Sequence, residues 1–157
     1  MNEATVRAEE RVIEPAMEAD VPAIQSMVTA AYSKYIERLG MLPAAMNADY
    51  GALAATRKLY VLRVKDVVVG AVLLGQDADS VKVSNLVVDP GCQGKGYGRT
   101  LMQFAEDEVT RKGLSAVTLF TNELMHENIH LYERMGFVET GRATENGFNR
   151  VYFRKNI

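Results

Sequence analysis

The chain has no tryptophan, one cysteine and two histidines among 157 residues, and its 18 Lys plus Arg are nearly cancelled by 20 Asp plus Glu. Each shortage excludes something. With neither a stacking tryptophan nor a basic surplus, no global field exists to hold nucleic acid or an anionic membrane, so any anion site must be local. Cys92 alone cannot make an internal disulfide or a cysteine-based zinc site. His126 and His130 stand four apart with no evident third ligand, so no metal is expected. A reducing, cytoplasmic setting is the expectation. The longest apolar run, Val67 to Gly75, falls well short of the ~20 residues of a membrane span. Met1 to Arg11 mixes Glu3, Glu9 and Glu10 with Arg7 and Arg11 around no apolar core, so no signal peptide is expected there. What remains is 48% hydrophobic and 24% charged, at a length suited to one domain, which excludes collagen-like, disordered and coiled-coil chains.

Residues 1–10 are polar and expected to be flexible, with one α/β domain over 11–157. Arg11 to Glu14 is β-branched and bounded by Pro15, as a first strand would be. Asp20 before Val21-Pro22 reads as an N-cap, and Ile24, Met27, Val28 and Ala31 recur at helical spacing to about Tyr35. Ala44 to Lys58 reads as a second helix after Gly40 and Pro43. Leu59–Val64, Val67–Leu74 and Val81–Val88 form a strand meander, with Lys65-Asp66 as a two-residue hairpin junction. Leu101, Met102, Ala105 and Val109 give the next helix, Gly98 to Lys112, a core-facing stripe that stops at Gly113. A buried strand at Ala116–Thr121, a helix at Glu127–Met135 and a hairpin around Glu145-Asn146-Gly147 complete the order βααβββαβαββ. This predicts a mixed sheet with helices on both faces.

Chemistry concentrates between the third meander strand and the following helix, in Gln93-Gly94-Lys95-Gly96-Tyr97-Gly98-Arg99. Alternate glycines permit positive φ and close ligand approach, so successive N–H groups can turn inward as an anion nest at a helix N-terminus. Lys95 and Arg99 lie in that first turn without an acid between them. A phosphate would resolve the conflict with the helix dipole; the plainer alternative is a surface loop making a tight entry into the helix. Lys95 is followed by Gly96 and not by Ser or Thr, which disfavours a P-loop, and no third glycine completes a dinucleotide fingerprint.

The segment resembles motif A of the GCN5-related N-acetyltransferase (GNAT) superfamily, Gln/Arg-x-x-Gly-x-Gly/Ala, through Gln93, Gly96 and Gly98 after the strand Val83 to Pro90. Asn128-Ile-His-Leu-Tyr-Glu-Arg-Met-Gly-Phe137 is similar to the family's later motif, an asparagine four residues before a tyrosine and a Gly-aromatic pair opening the next strand. The resemblance covers nearly the whole domain and implies a central sheet whose strands splay, near Val88 and Thr121, to admit acetyl-coenzyme A. It implies that the segment Leu86-Val87-Val88 bonds the pantetheine arm, through the main chain of Leu86 and Val88. The N–H groups of Gln93, Gly94, Lys95, Gly96, Tyr97, Gly98 and Arg99 would bind the pyrophosphate, Asn128 would bond the pantetheine or acetyl end, and Tyr132 would act as general acid on the departing thiolate.

The implied activity is acetyl transfer to a primary amine by direct attack; the alternative is a non-catalytic acyl-coenzyme A binding or sensing module. Family members often carry a carboxylate base where this chain has Ser84 and Asn85, so Glu123, His126, Ser84 and Asn85 are all weighed for removal of the amine proton. Cys92 sits in the loop with no evident His partner and is assigned no role. Acceptor contacts are expected from Tyr32, Tyr35, Glu37, Met41, Met46, Asp49 and Tyr50, aromatic walls and acidic points suited to a cationic amine. The partner would be a small-molecule or peptide amine, with homodimerisation possible through Phe148, Val151 and Phe153.

Overall fold

The computed structural model describes residues 10–157. The flexibility expected of residues 1–10 therefore concerns positions outside the described residues, Glu10 excepted. Seven strands form one sheet in the order β1-β2-β3-β4-β5-β7-β6. They are β1 (Arg11–Pro15), β2 (Leu59–Val64), β3 (Val67–Asp77), β4 (Ser80–Val88), β5 (Ala116–Asn122), β6 (Val138–Glu145) and β7 (Phe148–Asn156). Only β4 and β5 run parallel, joined by the right-length crossover through the long helix α4 (Tyr97–Arg111). Of the three hairpins among the described residues, β2–β3 and β6–β7 close as their turn residues dictate. Lys65 and Asp66 take φ of 53° and 65°, and Asn146 and Gly147 take 52° and 81°, the doubly left-handed geometry that matches strand twist.

Each sheet face has its own apolar layer. On one, Leu62, Val72, Val81, Val117, Val151 and Phe153 meet Leu101, Met102, Ala105 and Val109 of α4, all of them at most 3% exposed. Ile129 and Tyr132 of α5 (His126–Arg134) join this layer. On the other face, Val61, Ala71 and Val87 meet Ile24, Met27 and Val28 of α1 (Val21–Tyr32) and Tyr50 and Ala54 of α3 (Tyr50–Ala55). Val151 and Phe153 thus belong to the core, which removes them from any dimer surface. Among the described residues no helix is long and apolar enough to cross a membrane.

Three local readings are corrected. The first helix does not continue to Tyr35: α1 ends at Tyr32, and α2 (Tyr35–Leu39) follows, closed by Gly40 at φ 73°. Ser33 is the C-cap, its N–H (3.0 Å) and its hydroxyl both donating to the Thr29 carbonyl. The expected helix from Ala44 to Lys58 is a 3-10 turn at Ala44–Asn47 and then α3, because Asp49 takes an extended conformation and caps the Ala52 N–H at 3.0 Å. Asp20 does not cap α1. Its carboxylate accepts from the Met17 N–H (2.9 Å) and from Arg63 Nη2 (2.7 Å). Burial alone would raise the Asp20 pKa, but Arg63 and the Met17 N–H together hold it below the usual carboxylate value.

The feature that positions the site is a failure of pairing. β4 and β5 are in register only from Ser80 with Ala116 to Val83 with Leu119. Opposite β3, Leu74 pairs with Val83 and Leu73 with Asn85, so Ser84 is an extra residue that bends β4. Beyond it β4 stays with β3 while β5 stays with β7, and the sheet opens between them.

Candidate active site

The opening in the sheet is occupied by two cavities that meet. One, of about 450 Å³, runs from the splayed end of β4 to the glycine loop and α5. The other, of about 200 Å³, lies under α1, the 43–48 segment and the start of β7. Tyr32, Leu86, Met125, Asn128 and Tyr132 line both.

Along β4, main-chain direction alternates. The Asp89 N–H bonds the Val69 carbonyl of β3 at 2.9 Å, so Val87 also faces β3 and the polar groups of Leu86 and Val88 face the opening. That supports main-chain roles for Leu86 and Val88. Val87 differs: its side chain is 4% exposed in the α1-side core.

In the loop, Gly94 and Gly96 take φ of 85° and 80°, and Gly96 caps α4. The first intrahelical bond runs from the Thr100 N–H to the Gly96 carbonyl (3.0 Å), so the N–H groups of the first turn point out of the helix end. Gln93, Gly94, Gly96, Tyr97 and Gly98 line the larger cavity. Lys95 and Arg99 do not. Arg99 borders a groove on the far side of the loop with Arg11 and Thr100. The Tyr97 ring is 3% exposed in the core, leaving only its main chain for a ligand. Cations do reach the cavity, from Lys34 after α1 and Arg134 on α5. An anion therefore has main-chain donors and two cationic side chains, a fit to a pyrophosphate.

Arg11 is a residue that spacing did not reveal. From β1 its guanidinium donates to the Lys95 carbonyl (2.9 Å) and Thr100 Oγ1 (2.7 Å) and sits 4.8 Å over the Tyr97 ring. It braces the loop from behind. No signal near Arg11 in the sequence points 84 residues ahead.

Tyr132 stands where the cavities meet, its ring held edge-on against Phe137 (5.9 Å) and tilted against Phe153 (6.1 Å). Among the described residues none hydrogen-bonds its hydroxyl, and burial raises its pKa to about 12. Asn128, one turn earlier, donates to Thr121 Oγ1 at 3.4 Å.

The acceptor-side residues divide. Tyr32 and Tyr50 line the smaller cavity, joined through Asn85: Tyr32 Oη donates to Asn85 Oδ1 and Asn85 Nδ2 to Tyr50 Oη, each at 3.1 Å. Tyr50 Oη in turn donates to the Ala45 carbonyl at 2.6 Å. Tyr35 lines the larger cavity instead. Glu37, Met41, Met46 and Asp49 line neither. Glu123 is also outside both, its carboxylate accepting from Asn149 (2.9 Å) and facing Arg142 (3.7 Å). His126 and His130 are exposed, and among the described residues no three metal-ligating side chains gather. Cys92 closes a 3-10 turn, half-buried against the α4-side core.

Two side chains of α2 cross the opening to Glu127 of α5, Arg38 and Tyr35, the Tyr35 hydroxyl donating to Glu127 Oε2 at 3.4 Å. Arg38 of α2 donates to Glu127 of α5 at 2.7 and 3.3 Å, and to the Leu124 carbonyl at 3.2 Å, while lying 5.0 Å over the Tyr35 ring. The Arg38 hydrogen bond holds the Glu127 carboxyl at about 2.

Comparison with known proteins agrees with this geometry. The chain is 33% identical over 72 residues to an IAA acetyltransferase from Azospirillum brasilense, covering 46% of this chain and 47% of that protein. It is 34% identical over 61 residues to the [ribosomal protein bS18]-alanine N-acetyltransferase of Escherichia coli (strain K12), covering 39% and 41% respectively. The match thus spans less than half of either curated relative's length. In three dimensions it resembles the PaiA N-acetyltransferase from Thermoplasma acidophilum, solved in complex with coenzyme A, with a TM-score of 0.71 at 15% identity over 94% of this chain and 99% of that one. Residues 23–137 match the profile of the acetyltransferase (GNAT) family, most of the chain and both cavities' walls up to Phe137, and the chain belongs to that family.

Proposed function

We propose that residues 11–157 act as one N-acetyltransferase domain that moves an acetyl group from acetyl-coenzyme A to a primary amine by direct attack in a ternary complex. The observation that carries this reading is the meeting of two cavities at Tyr32, Leu86, Met125, Asn128 and Tyr132. The larger suits the pantetheine and pyrophosphate: Leu86 and Val88 offer main-chain groups to the amides, and the 93–98 loop offers its N–H groups to the phosphates. The smaller leads the amine to the same point.

There the amine nitrogen bonds to the acetyl carbon and the carbon–sulfur bond breaks. A β4 main-chain N–H at the opening stabilises the charge on the acetyl oxygen. Tyr132 donates to the departing sulfur. With its pKa at about 12 the phenol is a weaker acid than a thiol, ordinarily ~8.5, so it keeps its proton and stabilises the departing thiolate through the hydrogen bond it donates, the thiolate taking its proton from water. Among the described residues neither cavity is lined by Asp or His, and Glu127 of the larger one is committed to Arg38. The amine's proton therefore leaves to water, and the amine enters neutral.

That same lack of a side-chain base supports a second reading, an acyl-coenzyme A sensing module without turnover. Calorimetric titration with acetyl-coenzyme A, followed by thiol release over pooled amines, separates the two. Binding with release identifies a transferase. Binding with no release from any amine identifies the sensor, and no binding rejects both.

A further inference from the structure

We infer that the acceptor is a monoamine on an apolar body, its nitrogen donating to the Tyr32 hydroxyl oxygen. This rests on the transferase reading above and adds the acceptor's chemical class and the group that holds it.

Charge is the first ground. Among the described residues no Asp or Glu lines the smaller cavity, and the one ionised side chain there, Arg150, is a cation. The Arg150 guanidinium lies 4.2 Å over the Phe120 ring, and Lys82 Nζ lies 5.2 Å over the same ring. Glu145 answers Arg150 at 2.6 Å from its outer side and does not line the cavity. Leu39, Pro43, Val83 and Phe148 supply much of the remaining wall. A second ammonium on the acceptor would be stripped of water with no carboxylate to receive it and a guanidinium nearby. This reverses the expectation of a cationic acceptor, whose acidic points, Glu37 and Asp49, line neither cavity.

Hydrogen-bond polarity is the second ground. The chain Tyr32–Asn85–Tyr50 ends on the Ala45 carbonyl, which can only accept. Tyr50 therefore gives its proton to Ala45, Asn85 must give an amide N–H to Tyr50, and the Asn85 oxygen takes the Tyr32 proton. Tyr32 is left with lone pairs alone to offer the cavity. An amine N–H suits that group; a carbonyl or carboxylate does not. The opposite phenol, Tyr132, keeps its donor, so the two tyrosines present complementary polarity to nucleophile and leaving group. Because the chain stops at a carbonyl it carries no proton away. Tyr32 holds the amine, and Asn85 and Tyr50 are positioning residues.

The test compares hexylamine with pentane-1,5-diamine, which share length and reacting group and differ in replacing a terminal methyl by an ammonium. kcat/KM should favour hexylamine by on the order of a hundredfold, the scale of an unpaired buried charge. A ratio near one, or a preference for the diamine, overturns the proposal. Calorimetric binding of both amines to the protein without coenzyme should show the same preference, and absence of hexylamine binding there also overturns it. That arm stays decisive if acetyl-coenzyme A itself fails to bind, which would reject the transferase reading separately. Asn85→Asp puts a carboxylate on the cavity wall at constant size and should shrink the hexylamine preference at least tenfold; an unchanged ratio counts against the charge argument. Tyr32→Phe should raise the hexylamine KM by roughly three- to tenfold, as loss of one hydrogen bond does, with a smaller effect on acetyl-coenzyme A affinity. An unchanged amine KM removes Tyr32 from its role.

Discussion

Gly96 and Tyr132 show how differently two motif residues act. Gly96 is required for its backbone: a Cβ there would meet only the Arg11 guanidinium, at 3.7 Å, but φ is 80°. Gly96→Val should therefore cost about 1–2 kcal/mol of strain or shift the loop, leaving the protein folded and weakening acetyl-coenzyme A binding in calorimetry. Affinity equal to the parent chain would dismiss the loop as the phosphate cradle. In the proposed reaction Tyr132 acts through its hydroxyl. Tyr132→Phe keeps the ring against Phe137 and Phe153 and should lower kcat by on the order of a hundredfold with coenzyme affinity little changed, seen in parallel turnover and binding assays. Asn128 and Tyr132 were singled out by the resemblance to the family's later motif, and helical spacing then put i and i+4 on one face. Arg11 was not legible, because its contacts depend on β1 being laid beside the loop by its pairing with β2.

Among elements, α2 and α5 are the pair that spans the opening, and Arg38 and Tyr35 of α2 both bond the Glu127 carboxylate of α5. Glu127 ordinarily titrates near 4.5 and is held at about 2 by the Arg38 hydrogen bond. Its contribution to stability is complete above about 4.5 and is lost as pH falls through that value toward 2, since the unfolded chain takes up the proton first. Thermal melts from pH 7 down to pH 3 should show a falling Tm in the parent chain and a shallower fall in Glu127→Gln; parallel curves would show that the contact contributes nothing. Arg11→Gln removes the brace on the glycine loop and should weaken acetyl-coenzyme A binding several-fold while leaving the melting temperature close to that of the parent, by calorimetry and thermal scan. Periodicity found α4 and α5 to within a residue or two because their apolar stripes are strong. It overran α1, which stops at the Ser33 C-cap, and the Ala44–Lys58 segment, where extended Asp49 breaks the run and caps the start of α3.

The whole molecule is two apolar layers on either face of a sheet that opens along one seam. Leu101 is fully buried where α4 crosses β3, so Leu101→Ala should remove about 2–5 kcal/mol in chemical denaturation and act on the entire cooperative unit. A loss below about 1 kcal/mol would mean that the layer relaxes around the gap. The chain order of elements, the turns at 65–66 and 146–147 and the glycine loop could be read from the chain, since each depends on neighbours within about ten residues: alternation, turn chemistry, φ at glycine; Asn128 and Tyr132 came from the family resemblance. The division of the site could not. Which of the loop's residues face the larger cavity, why Lys95 and Arg99 do not, which tyrosines reach the smaller one and why its wall, among the described residues, holds a guanidinium and no carboxylate follow from the Ser84 bulge and the parting of β4 from β5. These bring together side chains from positions 32 to 150, and long-range juxtaposition of that kind leaves no local pattern in a sequence, because it is set by packing between elements and not within them.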